Sequence, residues 1–184
     1  MLPLLLTALA AAAAAPGPCS LLDSKAIAAA QGAAPKDTKA SEHPDGALTS
    51  RQCFFTLPDF AQSVSLEVTT PNPGTKGRVL RERWEQLSGK EREREHEKAE
   101  ARPAAAKGKR AAEEDEESGR PPQPVPGVGR AAVWIGNARA GALYVLAPGA
   151  ILRVSVGGAA DERGKIKACS ALAKSALQRL AKRG

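Results

Sequence analysis

The stretch "PGVGRAAVWIGNA" at residues 126–138 places Gly127, Gly129 and Ala132 in the pattern G-x-G-x-x-A. That spacing is one form of a dinucleotide-binding fingerprint, in which glycines let the backbone approach a pyrophosphate held at a helix N-terminus. The chemistry needs a strand before the glycines and a helix after them. Here the preceding residues read "RPPQPV", where prolines remove ladder donors, and the following "AAVWIG" has strand character. Both contexts point to a turn that returns the chain to a sheet, and no cofactor is expected.

Other catalytic patterns fare no better. A Ser-His-acid site needs a histidine held on a scaffold, but the two histidines, His43 and His96, lie in polar stretches. Ser24, Ser65 and Ser155 have no evident base. Among the acids of the patterned segments, Asp23 suits a helix cap, Glu67 the solvent face of a strand, and Asp161 or Glu162 a helix start. With Asp59, they single out no facing carboxylate pair of the kind glycoside hydrolysis requires. There is no C-x-x-C spacing for a metal site. Catalytic, cofactor-binding and metal-ligating residues are therefore read as none, and a non-enzymatic protein is expected.

Arg139 and Arg153 remain. Arg153 alternates with apolar strand neighbours, so it projects from a sheet face beside Ser155. Trp134 and Tyr144 fall either on that open face, as an aromatic patch for a ligand, or on the core side. The bland alternative is a solvated strand face.

The elements that would position these residues follow from patterning. Asp23 as N-cap, Leu22 and Ile27 at staple spacing, and Gly32 as C-terminal stop predict a short helix over residues 24–31. A polar loop is expected at 33–50. "RQCFFTLP" and the alternating "QSVSLEVTTP" predict a hairpin, with Val64, Leu66 and Val68 on one face. Leu80, Trp84 and Leu87 at i, i+4, i+7 predict a helix with one docking face. Beyond Gly89 the aliphatic residues give way to alternating charge and then a Pro-rich linker, expected as a solvated insert. "RAAVWIG", "GALYVLAPG" and "AILRVSVGG" predict a three-strand antiparallel meander. Residues 161–182 predict an amphipathic helix with Ile166, Cys169, Ala173, Ala176, Leu177 and Leu180 on its apolar face.

The expected fold is α+β: a two-layer sandwich with an antiparallel sheet of about five strands. A short N-terminal helix and a C-terminal amphipathic helix cover one face, and a charged insert interrupts the chain. The expected organisation is a signal peptide at 1–15, the first part of the domain at 19–74, the insert and linker at 75–124, and the second part at 125–184.

Residues 2–15 are uncharged and apolar apart from Pro3 and Thr7. That length fits a signal-peptide core and falls short of a membrane span. Export to the periplasm or medium is expected, with no transmembrane span after cleavage. Pro16, Gly17 and Pro18 argue against lipidation at Cys19. An oxidising compartment allows Cys19 and Cys53 to bond. Cys169 reads as a buried free thiol, while its pairing with Cys19 or Cys53 stays open.

The net charge of +7 is concentrated near the C-terminus, where a basic helix offers an anionic-surface reading. With 3% aromatic residues the chain has little material for base stacking, and no specific nucleic acid is expected.

Taken together, "CSLLDSKAIAAAQG", "CFF", "SVSLEV", "PGVGRAAVW", "GALYVLAPGAILRVSV" and "ALAKSALQRL" resemble small exported bacterial proteins of unknown function, many of them lipoproteins. The resemblance implies an envelope or secreted location and an α+β fold, and supplies no catalytic residues. This chain departs from that pattern in its residues before Cys19, in Arg130 where an acid is more usual, and in its charged insert. The expectation is an exported binding or envelope-associated module whose partner is a protein or envelope component. The alternatives are an exported enzyme or inhibitor using the open sheet face, and an anionic-surface binder using the C-terminal helix.

Overall fold

The computed structural model describes residues 17–75, 77–89, 121–137, 139–158 and 160–182. The expected signal peptide, His96 and the charged part of the insert lie outside these residues. The α+β class holds, with seven strands in place of about five. They form one antiparallel sheet in the order β1-β2-β3-β7-β6-β5-β4. The strands are β1 (Asp37–Asp45), β2 (Leu48–Thr56), β3 (Val64–Pro71), β4 (Gln123–Pro124), β5 (Ala131–Gly136), β6 (Gly141–Ala147) and β7 (Ala150–Val156). Two meanders, β1–β3 and β4–β7, meet where β3 pairs with β7.

The two additional strands have physical reasons. β1 occupies most of the expected polar loop at 33–50. It is an edge strand, exposed along nearly its whole length, so it carries no apolar alternation and is held by backbone pairing to β2. β4 is two residues of the Pro-rich linker, which a sheet edge tolerates. Its Gln123 and Pro124 pair with Trp134 and Val133.

The "PGVGR" stretch is the turn between β4 and β5. The Val125 amide donates to the Ala132 carbonyl across it, at 2.9 Å, and no helix follows the glycines. Gly129 has φ of 60°, and a Cβ there would lie 2.5 Å from Val145 Cγ1. This glycine lets the turn press against β6, which is a packing role.

Helix α1 (Ser24–Gln31) has the expected ends: Asp23 accepts from the Ala26 amide at 2.7 Å, and Gly32 closes the helix in the left-handed region. Helix α3 (Glu162–Ala181) is capped by Asp161, which accepts from the Gly164 amide. Both helices lie on the same sheet face. Alternate strand residues there, including Cys53, Phe55, Leu66, Leu143, Val145, Leu152 and Val154, pack with Ile27, Cys169, Leu172, Ala173 and Ala176. Arg179 of α3 pairs with Asp23 of α1, so the cap residue also joins the two helices.

Cys19 and Cys53 form a disulfide that closes a sequence separation of 34. It ties the segment before α1 to β2, and a bridge of that span stabilises by about 3–4 kcal/mol through lost chain entropy in the unfolded state. Cys169 is free and buried. Burial pushes its thiol up to about 12, against partial opposition from the Leu143 and Val156 backbone.

Helix α2 (Arg78–Leu87) docks on the other sheet face, so the sheet is not left wholly open on that side. Leu80 and Trp84 are buried against Leu48, Val133 and Ile151, with Leu87 half-buried beside them. The predicted i, i+4, i+7 stripe is therefore the docking face. After α2 the described chain ends at Gly89 and resumes at residue 121. A Cβ on Gly89 would sit 3.4 Å from Pro122 Cδ.

Candidate functional site

The site grows out of β-strand parity. Residues of β2, β3, β7, β6 and β5 that point away from α1 and α3 form rows across the second face. One row runs Gln52, Glu67, Arg153, Tyr144 and Val133. The next runs Phe54, Ser65 and Ser155, and Ala142 and Ile135 pair at its far end. Helix α2 covers the region of Val133 and Ile151. Beyond the Arg153 row no helix covers the face among the described residues.

The second row explains why a depression forms there. Its middle residues, Ser65, Ser155 and Ala142, are small, while Phe54 and Ile135 stand at its ends. Two loops raise the rim. On one side a 3-10 turn (Phe60–Gln62), capped by Asp59, presents Phe60, which is 68% exposed. Its ring lies 5.9 Å from that of Phe54, tilted by 46°. On the other side is the tip of the β5–β6 hairpin, which carries Arg139. The cleft between them has a volume of about 570 Å³, within the usual size range of ligand pockets, roughly 300–1,000 Å³.

Both rims are held from the closed side of the sheet. The Gln31 amide of α1 donates to the Gln62 carbonyl at 2.7 Å and to the Gly157 carbonyl at 3.3 Å. The Gly157 amide donates to the Ser63 carbonyl at 2.9 Å. At the hairpin tip, Asn137 Oδ1 accepts from the Arg139 and Ala140 amides. The Lys165 ammonium of α3, only 3% exposed, donates to the Arg139 carbonyl at 2.9 Å. One turn earlier on α3, Glu162 accepts from the Trp134 indole N–H at 3.0 Å. The first turn of α3 therefore fixes the loop that carries Arg139.

The polar groups are ordered by one another. Arg153 Nε donates to the Tyr144 hydroxyl at 3.1 Å. The guanidinium carbon also lies 5.9 Å from the Tyr144 ring centroid, within cation–π reach. Arg153 Nη1 is 3.9 Å from a Glu67 carboxylate oxygen, and such a part-exposed pair contributes about 1 kcal/mol or less. Gln52 donates to Ser65 at 2.7 Å, and Ser50 and Thr69 share a 2.8 Å hydrogen bond. A second hollow of about 200 Å³ lies where α2 meets this row, lined by Arg83, Glu67, Thr69, Tyr144 and Arg153 among others. Arg153 and Tyr144 thus stand on the divide between helix and cleft.

The residues singled out in the sequence are sorted by this geometry. Arg153, Arg139, Tyr144 and Ser155 all line the cleft. Trp134 does not join them: it is 2% exposed on the opposite face, in the closed core. One residue of strand parity separates it from Val133, and the α1/α3 face is where a large apolar ring gains most from burial. His43 lies exposed on β1, away from the cleft lining. Glu67 is on the second face as expected, but faces Arg153 rather than solvent alone. Phe54 and Phe60 were not visible as site residues. Their signal is the parity of Phe54, opposite to Cys53 and Phe55 and matched to Ser65. On α3 the basic residues Arg163, Lys167, Lys174 and Lys182 are exposed, whereas Lys165 and Arg179 are engaged. Among the described residues no group of His, Cys, Asp and Glu is placed to hold a metal, and no helix is long and apolar enough to cross a membrane.

No protein family, no curated protein and no solved structure matches the chain.

Proposed function

We propose that the protein is an exported binding module that takes its ligand in the cleft on the second sheet face. The observation that carries this reading is the cleft itself: a depression of about 570 Å³ floored by small strand residues and rimmed by aromatic and arginine side chains. Its rims are tied to α1 and α3 by side-chain hydrogen bonds, so its form is set before any ligand arrives. Preorganisation of that kind lowers the ordering cost of binding. The lining offers N–H and O–H donors and ring surface, which are groups that hold a molecule. The alternative of an exported enzyme or inhibitor would use the same face and the same lining.

Export is supported by the apolar leader and by a Cys19–Cys53 bridge, which needs an oxidising compartment to persist. The resemblance to small exported bacterial proteins fits the same location.

The test has two parts. The full-length chain is expressed in a Gram-negative bacterial host, and the cell fractions are analysed by non-reducing mass spectrometry. A shortened chain with Cys19 bonded to Cys53 is expected in the periplasm or medium. Full-length, reduced protein confined to the cytoplasm defeats the export reading. The folded protein is then screened against a fragment library by amide NMR. Shifts should cluster at Ser65, Ala142 and Ser155; hits scattered over the surface defeat the cleft.

A further inference from the structure

The charge of the cleft narrows what it can hold. Among the described residues its lining contains two arginines, Arg139 and Arg153, and no aspartate or glutamate. Two acids stand just outside that lining: Glu67, which pairs with Arg153, and Asp59, which accepts from the Ala61 amide of the rim. A guanidinium has five N–H donors, and Arg153 gives its Nε–H to Tyr144. That bond and the approach of Nη1 to Glu67 at 3.9 Å hold the guanidinium in place and leave the Nη2 donors for another acceptor. The hydroxyls of Ser65, Ser155 and Tyr144 add donors nearby. The same lining includes the apolar side chains Phe54, Phe60, Ile135 and Val156. Phe60 is the only large apolar side chain strongly exposed among the described residues. Exposed aromatic surface beside a lining that carries two arginines is complementary to a molecule with an anionic head and an apolar body.

Resting on the cleft reading above, we infer that the ligand is a small amphipathic organic anion, with its acid group at Arg153 and Arg139 and its apolar part against Phe54 and Phe60. Oxyanions with two or more oxygens on one centre suit the planar guanidinium, because two N–H groups can meet two oxygens at once. A carboxylate, a phosphate monoester and a sulfonate share that property, so the head group is defined by experiment within this class.

The probes are five naphthalene compounds that differ only in the attached group: a carboxylate, a phosphate monoester, a sulfonate, a neutral alcohol and an ammonium. Each is titrated into the folded, disulfide-bonded protein and followed by amide NMR. At least one anion should shift Ser65, Ala142 and Ser155 and bind at least about tenfold more tightly than the alcohol, with the ammonium weakest. The rank among the three anions identifies the head group. Arg153→Gln should reduce anion affinity about tenfold and narrow the preference for anion over alcohol. Arg139→Gln, at an exposed hairpin tip, should reduce it by a smaller factor and serves as a second variant if the first disturbs the sheet. Raised salt should weaken the anions selectively. If alcohol and anions bind the cleft equally, the anion assignment is wrong and the cleft reading survives. If the anions shift residues of α3 instead, the assignment is also wrong. If no probe of any charge moves the cleft amides, the cleft reading falls with it.

Discussion

The two faces of the sheet are made by the same strands and do different work. On the face under α1 and α3, nearly every inward position is aliphatic or aromatic and buried. On the other, the centre of the sheet carries Gln52, Ser65, Glu67, Thr69, Tyr144, Arg153 and Ser155, joined by cross-strand hydrogen bonds. Leu152 and Arg153 are neighbours in β7, yet one is fully buried and the other lines a cleft. Period-two geometry lets adjacent residues be chosen independently, one for stability and the next for recognition. The difference teaches that the closed face bears the folding free energy, and the second face is free to be polar because α2 covers only part of it.

The comparison can be broken most directly at the disulfide, which belongs wholly to the closed side. Reduction should lower unfolding free energy by about 3–4 kcal/mol, measured by urea denaturation with and without dithiothreitol. A change below about 1 kcal/mol would mean that the bridge is incidental to the closed face. The next effect contrasts β7 neighbours. Leu152→Ala should lower stability by about 2–5 kcal/mol, whereas Arg153→Gln should shift it by about 1 kcal/mol or less. Equal losses from the same denaturation curves would erase the distinction between faces.

A smaller effect sharpens the contrast between the two helical coverings. Trp84 anchors α2 in a cluster separate from the closed core, the arrangement from which local opening is expected. Trp84→Ala should therefore cost less than the about 3–5 kcal/mol typical of a buried tryptophan. Hydrogen exchange should show lost protection at residues 78–87 with the strands unaffected. Loss of protection throughout the sheet would make α2 part of the same cooperative unit.

The smallest effect at neutral pH concerns Cys169. Its thiol moves from an ordinary 9.0 to about 12 on folding, so the folded state favours the protonated form. Stability is fully present below about pH 9 and is lost as pH rises toward 12, at up to about 1.4 kcal/mol per unit. Relative to Cys169→Ala, the native chain should lose on the order of 1 kcal/mol by pH 10, read from urea midpoints at pH 8 and 10. Parallel pH profiles would show that the thiol ionises as freely in the fold as outside it.

Much of the closed face was legible in the sequence. Its signals are local and strong: Asp23 and Asp161 cap helices, Gly32 stops one, and Val64, Leu66 and Val68 alternate. The second face was only partly legible. Arg153 could be placed on it by parity, whereas the apolar stripe of α2 was visible but the sheet face it docks on was not. Trp134 and Tyr144 could not be assigned to a face, because aromatic rings suit either a core or a cleft. β1 left no apolar trace because an edge strand buries little. Phe60 escaped because its role depends on where a three-residue turn falls relative to β6, which is set by pairing β3 to β7 across more than eighty residues of chain.

The meeting of Gly89 and Pro122 has a practical consequence for anyone building on this fold. Loop-closure entropy changes by only about 0.6 kcal/mol for each doubling of length. The length of chain that joins these two points therefore weighs little on the stability of the sheet.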